Sequence, residues 1–441
     1  MSKCKLLGII VFLVIITSLF IGLEINGVHA ANVIFTESQI TSNSASQENP
    51  DICEHGRYNY TIVWQDNRNS NWDIYMYAPY LDMWNPEIRV TTSSGNETNP
   101  KIYNDTIVYQ SDRNGNWDIY MYNMSSKVET QITSDAAIQC SPAVYGNTIV
   151  WQDARNAVWN SNYHDYSPWN IYMYNLTTQT EQRITRQNED CFSPAICGNL
   201  ITYMKEIFTY VSSYVSGYYY YPYVCSYDLS TGIETNVYTL NGQRVSITYA
   251  NYTNSPAIDK TRIVWSTKDA KTSGLYVEMK DVLTGASLNI ENNVLDANPD
   301  IYAGSYNTYL VFERTSPSPA TNTNIYLYDW NAKTTHNVTY STASQSRPII
   351  SAEYSNCIVY MDNRNGNWDI YLTIFGYGLG ATGPNPQSTS STPTGQTGIL
   401  GNQDLIITAI ISVVAIAAIL AVVFAVTRRG RPKKQELLHT P

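Results

Sequence analysis

Charged residues are scarce in this 441-residue chain, at 15%, whereas 43% of its residues are apolar. A disordered protein has the opposite balance, so this composition excludes a disordered chain and predicts a folded one. Phenylalanine is also rare, with 8 residues against 37 tyrosines and 10 tryptophans. Because tyrosine and tryptophan favour strands, the composition predicts a mostly β protein.

Histidine is rarer still, and only His55, His164 and His336 lie outside the terminal segments. The sequence contains neither a Gly-x-Ser-x-Gly elbow nor a His-Glu-x-x-His motif, which disfavours a hydrolase triad and a zinc-protease site. Paired carboxylates that act on a glycosidic bond need no histidine, so a glycan-active enzyme stays the alternative hypothesis. We expect no enzymatic activity, no cofactor and no metal site.

The seven cysteines include no Cys-x-x-Cys pair. The spacing of Cys191 and Cys197 lacks the second pair that a zinc site requires, so we expect either disulfides or buried thiols. Six cysteines fall between the terminal segments: Cys53, Cys140, Cys191, Cys197, Cys225 and Cys357.

The N-terminus has the pattern of a signal peptide. Lys3 and Lys5 precede an apolar run from 6 to 23, and Val28-His29-Ala30 offers small residues at the positions that signal peptidase recognises. We predict that residues 1–30 are a cleaved signal peptide. An uncleaved anchor is the alternative, because the apolar run is long.

A second apolar run lies near the C-terminus. From Leu405 to Val426 the chain has 22 residues without a charge, which as a helix would span about 33 Å, the thickness of the hydrocarbon layer. Five Lys and Arg residues follow between 428 and 434, and such a basic cluster stays on the cytoplasmic side. We predict a transmembrane helix at 405–426, a cytoplasmic tail at 427–441 and a flexible Gly/Pro/Ser/Thr stalk at 376–404.

These segments predict a single-pass protein of the cell membrane, with residues 31–375 on the extracellular face. Residues 31–404 contain 20 Lys and Arg against 35 Asp and Glu, a net charge of −15. That charge disfavours nucleic acid and anionic lipid as binding partners.

A short motif that ends in an aromatic residue recurs seven times in the central part of the chain. The aromatic residues are 45, 42, 52, 62, 47 and 48 residues apart, which matches four-stranded propeller blades with insertions. The motifs are 62–64, 107–109, 149–151, 200–203, 263–265, 310–312 and 358–360.

Each copy contains four pieces, which we label A to D in chain order. Piece A starts with a proline, as at 141–144, and B is the aromatic motif; C is an alternating strand such as 117–122, and D a polar strand such as 129–133. Proline is tolerated at the first residue of a strand. Polarity that rises from B to D fits a radial blade whose outermost strand faces water.

The seventh copy has pieces A, B and C but no D. Near the N-terminus, Val33 to Thr41 resembles the D piece at 128–133. We predict that this segment pairs with Trp368 to Leu372, completes the last blade and closes the ring, which removes exposed sheet edges. The expected fold is an all-β, seven-bladed β-propeller of four-stranded blades; a linear solenoid is the alternative.

The stretch from Ser111 to Tyr120 reads Ser-Asp-Arg-Asn-Gly-Asn-Trp-Asp-Ile-Tyr, with close copies at 66–75 and 362–371. It resembles the repeat of the TolB-type, WD40-like β-propeller proteins. With its terminal segments the chain is similar to archaeal cell-surface propeller proteins. The resemblance implies a propeller at the cell surface and leaves the ligand open, because this fold supports transport accessories, lectins and enzymes.

Acidic residues flank a turn in each copy of this stretch, as Asp112 and Asp118 do. A calcium loop alternates several oxygen ligands, whereas Arg113 occupies a position where another acid is needed. We therefore predict an Asp–Arg pair and Asx-turn hydrogen bonds in place of a metal site. The equivalent residues are Asp66, Arg68 and Asp73 in one copy and Asp362, Arg364 and Asp369 in the other.

The connections between strands divide between the two faces of a propeller. B–C turns and D–A connections share one face, and A–B and C–D turns share the other. Piece C of the seventh copy ends on the second face and leads into the stalk, so we expect that face to look toward the membrane. The B–C face then points away from the cell.

Two long insertions, 154–169 and 208–223, lie in the B–C connections of neighbouring copies. Because tyrosine and tryptophan bury a large area at a low entropic cost, we predict a binding surface there. Two hairpins that merely pack on each other are the alternative. The candidate binding residues are Trp159, His164, Tyr166, Trp169, Tyr218, Tyr219, Tyr220 and Tyr221.

Seven Asn-x-Ser/Thr sequons make a glycoprotein a further expectation. Four of them map to the membrane-side turns and two to the outer face. The sequons are at Asn59, Asn96, Asn104, Asn123, Asn175, Asn251 and Asn337.

Together these patterns predict a membrane-anchored extracellular propeller that serves as a binding or cell-envelope interaction module for protein or glycan. One alternative is an exported glycan-active enzyme that uses carboxylates in the central channel. The other is a passive constituent of a surface layer.

Overall fold

The computed structural model describes residues 32–160, 165–186, 188–211, 217–239, 255–268, 275–290, 295–315 and 322–378. These residues form seven four-stranded antiparallel sheets and one two-stranded hairpin. In each four-stranded sheet the A, B, C and D strands are neighbours in that order. The A strands line a central channel, so the predicted seven-bladed β-propeller is confirmed.

The first strand, β1 (Asn32–Gln39), precedes blade 1 and belongs to the last blade. Blade 1 contains β2 (Gln47–Gly56), β3 (Asn59–Asp66), β4 (Asp73–Tyr77) and β5 (Glu87–Arg89). Blade 2 contains β6 (Glu97–Tyr103), β7 (Thr106–Ser111), β8 (Asp118–Asn123) and β9 (Val128–Gln131). Blade 3 contains β10 (Gln139–Tyr145), β11 (Thr148–Asp153), the inserted hairpin β12 (Val158–Asn160) and β13 (Asp165–Ser167), β14 (Asn170–Asn175) and β15 (Thr180–Arg183).

The remaining four blades follow the same plan. Blade 4 contains β16 (Asp190–Cys197), β17 (Leu200–Val211), β18 (Gly217–Asp228) and β19 (Ile233–Thr239). Blade 5 contains β20 (Ala257–Asp259), β21 (Arg262–Lys268), β22 (Leu275–Asp281) and β23 (Ser287–Ile290). Blade 6 contains β24 (Leu295–Ala303), β25 (Thr308–Thr315), β26 (Thr323–Asp329) and β27 (Thr334–Asn337), and blade 7 contains β28 (Gln345–Ser351), β29 (Cys357–Asp362) and β30 (Asp369–Gly378).

The B strands carry the most buried side chains because each lies inside its sheet and between neighbouring blades. Their motif aromatics Trp64, Tyr109 and Trp151 are fully buried. Each stacks on a tyrosine of the adjacent C strand, as Trp64 does on Tyr75 with ring centroids 6.2 Å apart. Complete burial of one such side chain stabilises the fold by about 2–3 kcal/mol, so the repeated aromatic motif accounts for much of the core.

The N-terminal strand closes the ring. β1 pairs antiparallel with β30, with Phe35 opposite Phe375 and Gln39 opposite Tyr371. The predicted pairing of this segment with the C strand of the seventh copy is therefore confirmed. β30 continues to Gly378, which lies beyond the start of the predicted stalk at 376.

All six cysteines of the described part are free thiols. Cys191, Cys197, Cys225 and Cys357 are buried, and Cys53 and Cys140 are half-buried. Of the two alternatives that the sequence left open, the structure has the unpaired thiols.

Within the residues described above, no helix is long and apolar enough to cross a membrane. The predicted signal peptide, the transmembrane segment at 405–426 and the tail at 427–441 lie outside the described residues.

Candidate functional site

The central channel has a volume of about 620 Å³ and is lined by the A strands of all seven blades. Each A strand contributes a proline and the residues that follow it. The residue two positions after the proline packs between blades, as Ile52 and Ile102 do. The side chains at the two positions flanking that residue line the channel and determine its charge and width.

The channel wall is asymmetric. In blades 3 to 5 the prolines are flanked by serine and alanine, at 141–143, 193–195 and 255–257. Blades 1, 2 and 6 place Asp51, Lys101 and Asp300 at the position of those alanines, and blade 7 places Ile349 there. At this position charge is therefore confined to blades 1, 2 and 6, and small side chains leave open space along blades 3 to 5.

Asp51 and Asp300 each bind the next A strand. The Ile102 N–H donates to Asp51 Oδ2 at 2.8 Å, and the Ile350 N–H donates to Asp300 Oδ2 at 2.8 Å. Lys101 Nζ lies 3.6 Å from Asp51 Oδ1. Burial raises the pKa of Asp300 to about 7, with a smaller contribution from the negative charge of Asp51, and burial also raises the pKa of Asp51.

Neither acid was predicted from the sequence as a site residue. A usable signal was present, because the A pieces of copies one and six share the order Asn-Pro-Asp-Ile at 49–52 and 298–301. No other copy has an acid after its proline.

On the B–C face, the rim of the channel is formed by residues whose backbone has a left-handed conformation, with a positive φ angle. The residue before the proline has a φ between 46° and 55° in six blades of the described part, although a residue in that place normally prefers an extended backbone. Each lies at a β-bulge between strands A and B. The six residues are Asn49, Asn99, Ser141, Ser193, Asn298 and Arg347.

Side chains of the preceding blade hold at least five of these backbones in place. The Asn49 N–H donates to Met361 Sδ at 3.4 Å, and four other N–H groups donate to B-strand oxygens. Each of these strained residues therefore ties two blades together, and the rim is preformed. The four bonds to oxygen are Asn99 to Gln65 at 3.1 Å, Ser141 to Gln110 at 2.9 Å, Ser193 to Gln152 at 2.9 Å and Arg347 to Glu313 at 2.6 Å.

Both predicted insertions form β-hairpins on this same face. In blade 3, β12 and β13 pair, with Trp159 opposite Tyr166. In blade 4, β17 and β18 extend the sheet and pair as far as Val211 and Gly217. Tyr218 to Tyr221 belong to β18, opposite residues 207–210. His164 lies outside the described residues.

Trp169 is at the base of the blade 3 insertion and is half-buried. Its carbonyl accepts the N–H of Cys191 at 2.7 Å, and its own N–H donates to Asp190 Oδ1 at 2.8 Å. The carbonyls of Trp72, Trp117 and Trp368 accept the same bond from the next A strand. Trp169 thus belongs to the series of tryptophans that join neighbouring blades.

The repeated acid–arginine stretch forms ion pairs between strands. Arg68 contacts Asp66 Oδ2 at 2.5 Å and Glu87 Oε1 at 2.5 Å, and its guanidinium lies over the Tyr75 ring. In the part of the chain that the structure describes, no group of three or more His, Cys, Asp or Glu residues is arranged to hold a metal. The predicted ion pair is present in blade 1.

Blade 2 departs from the predicted pairing. Asp112 does not pair with Arg113; it accepts hydrogen bonds from Asn96. Ser111 occupies the place of Asp66, and Arg113 pairs with Glu97 at 3.3 Å and Glu129 at 2.7 Å. The predicted pair of Asp112 with Arg113 was therefore wrong. In the alignment of the two blades, Ser111 corresponds to Asp66, and Asp112 is one residue further along the turn.

The sequons differ in how free their side chains are. Asn104 is exposed in the A–B turn of blade 2. Asn96 donates from Nδ2 to Asp112 Oδ2 at 2.8 Å, and the Oδ1 atoms of Asn59 and Asn337 are buried. The Oδ1 atoms of Asn123 and Asn175 accept N–H groups of their own turns. Asn251 lies outside the described residues.

No protein-family model matches the chain, and no curated protein matches it. An oligogalacturonate lyase from Vibrio parahaemolyticus is similar in structure, with a TM-score of 0.53 and 8% identity over 78% of this chain and 98% of that one. The β-propeller domain of the trilobed protease from Pyrococcus furiosus has a TM-score of 0.51 and 11% identity, over 76% of this chain and 96% of that one. That domain has an open velcro topology.

TolB from Acinetobacter baumannii is also among the similar structures, with a TM-score of 0.37 and 12% identity over 75% of this chain and 79% of that one. At 8% and 11% identity, the lyase and the protease domain show the propeller fold alone.

Proposed function

We propose that this protein is a membrane-anchored extracellular propeller that serves as a binding or cell-envelope interaction module for protein or glycan. The observation that carries the proposal is the position of the two hairpins, β12–β13 and β17–β18. They extend from adjacent blades on the face that also holds the preformed rim of the channel. A ligand that contacts both hairpins also reaches the channel mouth.

The composition of this face suits binding. The two insertions are rich in tyrosine and tryptophan, which offer a large apolar area with a polar tip. Blades 3 and 4 carry the insertions and also line the channel with serine and alanine. A ligand segment can therefore enter the channel beside the hairpins without displacing a large side chain. The anchoring itself is supported by the signal-peptide pattern, the 22-residue uncharged segment and the basic cluster after it.

Shortening the blade 3 hairpin tests the binding surface. We replace 157–168 by Gly-Asn, so that Arg155-Asn156 leads to Trp169 as Arg113-Asn114 leads to Trp117 in blade 2. The full-length chain in nanodiscs is then applied to a glycan array, and photo-crosslinking on intact cells from position 219 probes protein ligands. A matched control carries the crosslinker at Tyr306, in an A–B turn.

We expect array binding or a crosslinked adduct from position 219, and a loss of at least tenfold in the shortened variant. The control crosslinker at position 306 lies away from the hairpins, so any adduct it gives should persist when free glycan is added or when the hairpin is shortened. The binding proposal is overturned if the wild-type chain binds nothing on the array and the chain with the crosslinker at position 219 gives no adduct.

One observation favours the second candidate function, an exported glycan-active enzyme. Asp51 and Asp300 line the channel close enough for the charge of one to raise the pKa of the other, and two carboxylates are the minimal catalytic set for a glycosidic bond. Each acid already accepts a hydrogen bond from the next blade, which explains both residues without catalysis. Release of reducing ends from soluble polysaccharides by the wild-type chain, but not by Asp300→Asn, would favour the enzyme.

A further inference from the structure

The face opposite the hairpins carries strongly exposed apolar side chains. The C–D loop of blade 1, between β4 and β5, presents Leu81, Met83 and Trp84 to solvent, with Met83 78% and Trp84 92% exposed. Side chains of this size are rarely left so open on a protein surface, and a cluster of them marks a contact site.

Further exposed side chains occupy turns of the same face. Tyr306 is 89% exposed in the A–B turn of blade 6, and Leu283 is 79% exposed in the C–D turn of blade 5. Tyr58 and Tyr354 are exposed in the A–B turns of blades 1 and 7. All of them belong to blades 5, 6, 7 and 1, which are consecutive around the ring. We call this set of seven residues the turn surface: Tyr58, Leu81, Met83, Trp84, Leu283, Tyr306 and Tyr354.

The other blades present polar turns on this face. Blade 2 has Asn104-Asp105 and Ser125-Ser126-Lys127, and blade 3 has Gly146-Asn147 and Thr177-Thr178-Gln179. Val128 and Ile233 are 53% and 61% exposed in blades 2 and 4, where they begin the outer strands beside the C–D turns. The most exposed apolar side chains of this face in the described residues, Met83, Trp84, Leu283 and Tyr306 at 78–92%, are confined to blades 1, 5 and 6.

The chain continues toward the C-terminus from this face. A C strand runs from its B–C turn to its C–D turn, so β30 ends at Gly378 on the side of the turn surface. Another 63 residues follow, including the uncharged segment at 405–426. If that segment is anchored as we propose, the turn surface lies on the side of the propeller from which the chain leads to the membrane.

The charges on these turns are mixed. Arg57 lies 5.2 Å from the centre of the Tyr58 ring, and Lys333 Nζ lies 3.3 Å from that of Trp330. Asp82 caps its own loop by accepting the N–H groups of Trp84 and Asn85, and Glu353 is exposed beside Tyr354. A balanced set of charges gives little attraction to anionic lipid, so the contact that this surface can make is an apolar one.

We infer that the turn surface rests on the lipid headgroup layer of the membrane, with its Trp, Tyr, Leu and Met side chains inserted at the interface. Tryptophan and tyrosine favour this layer because one end of each side chain is apolar and the other polar. The inference rests on the proposed anchoring. It assigns an orientation to the propeller, in which blades 5, 6, 7 and 1 contact lipid and the hairpins point away from it.

Tryptophan quenching by lipid tests this inference directly. All 10 tryptophans lie between 64 and 368, so neither terminal segment contributes emission. The full-length chain is placed in nanodiscs of phosphatidylcholine with or without bromine on the acyl chains. The variants are Trp84→Phe and, as a matched control on the opposite face, Trp117→Phe.

We expect brominated lipid to quench wild-type emission, Trp84→Phe to remove more than half of that quenching, and Trp117→Phe to leave it unchanged. Leu81→Ser with Met83→Ser is expected to weaken the quenching of Trp84 as well. Equal emission in brominated and unbrominated discs overturns the inference. If the turn surface instead binds a second copy of the chain, quenching is absent and the double serine variant converts a dimer to a monomer in mass photometry.

Extraction of membranes with alkaline carbonate separates this failure from failure of the proposed function. A chain that stays with the membrane but shows no quenching is anchored, and only the turn-surface contact is refuted. A chain that carbonate releases refutes the anchoring, and the inference falls with it.

Discussion

Arg364 and Glu37 are 327 residues apart in the chain and form a two-pronged ion pair. Arg364 Nη1 lies 2.7 Å from Glu37 Oε1, and Nη2 lies 3.0 Å from Oε2. The Tyr360 hydroxyl also donates to Glu37 Oε2 at 2.6 Å. In blades 1 to 3 the equivalent carboxylate comes from the blade's own D strand, as Glu87 does for Arg68. The N-terminal strand thus supplies the last blade with the same ion pair.

Replacement of Glu37 by glutamine should loosen ring closure. The change removes the negative charge that faces Arg364 and weakens the bond from Tyr360, which predicts a loss of about 1 kcal/mol in the free energy of unfolding. Hydrogen exchange should also speed up in β1. Glu87→Gln is the matched control: it removes the same ion pair within one continuous blade, and faster exchange in β1 of that variant would contradict the interpretation.

The buried carboxylate that pairs with the arginine lies on the B strand in blade 1, as Asp66, but on the A strand in blade 2, as Glu97. Gln47 pairs with Asp66 in blade 1, whereas Glu97 pairs with Ser111 in blade 2. Glu97→Gln should therefore leave Arg113 without its buried partner and cost about 1–2 kcal/mol of unfolding free energy. Ser111→Asp should cost about 3 kcal/mol, because it places two buried carboxylates opposite each other.

The double variant Glu97→Gln with Ser111→Asp recreates the pair of blade 1 and should recover most of both losses. Chemical denaturation of the four proteins checks the cycle. Additive losses in the double variant would show that the two positions do not share one carboxylate.

The pKa of Asp300, about 7 in the folded protein, should make stability depend on pH. Because the folded state holds this proton more tightly than the unfolded state does, the free energy of unfolding should fall as pH rises from about 4 to about 7. Asp300→Asn keeps an oxygen for the Ile350 N–H and should flatten that decline. Asp51→Asn, which removes the nearby negative charge, should shift the decline to lower pH. Denaturation at several pH values measures both; identical pH profiles for wild type and Asp300→Asn would refute the assignment.

Glycosylation should favour Asn104 over Asn96 in a host that modifies sequons. Asn104 is exposed in a turn, whereas the Nδ2 atom of Asn96, to which a glycan would attach, donates to Asp112. Mass spectrometry of glycopeptides measures the occupancy of each site. Full occupancy of Asn96 would show that its bond to Asp112 does not protect it.

Reductant should not change the stability of the protein. The six described cysteines are unpaired, and burial raises the pKa of Cys225 to about 12 and that of Cys191 well above its ordinary value of 9. Thermal unfolding should be the same with and without dithiothreitol, and a thiol reagent should react rapidly only after unfolding. A lower unfolding temperature in reductant would reveal a disulfide.

The blade plan could be read from the sequence because its strongest signals are local. Burial of the aromatic at Trp64, Tyr109 and Trp151 requires an apolar motif in every copy, and that motif repeats visibly. Closure by the N-terminal strand was also predictable, since the missing D piece of the last copy and the extra one at 33–41 complement each other.

The channel was not predictable in the same way. Asp51 and Asp300 are 249 residues apart, and their proximity depends on where the ring places blades 1 and 6. Nor does the order Asn-Pro predict the left-handed backbone of Asn49, since an isolated residue before proline is pushed toward an extended conformation. The bulge and the neighbouring blade impose it.

The two strands that seal the ring are made at opposite ends of translation. Asp369 follows Gln39 by 330 residues, which at a ribosomal rate of roughly 5–20 residues per second means a wait on the order of tens of seconds. Until β30 emerges, the segment that forms β1 has been synthesised but has no partner strand, and its backbone groups are free to pair with another chain. Protection of this segment during that interval therefore favours a correctly closed monomer over pairing between nascent chains.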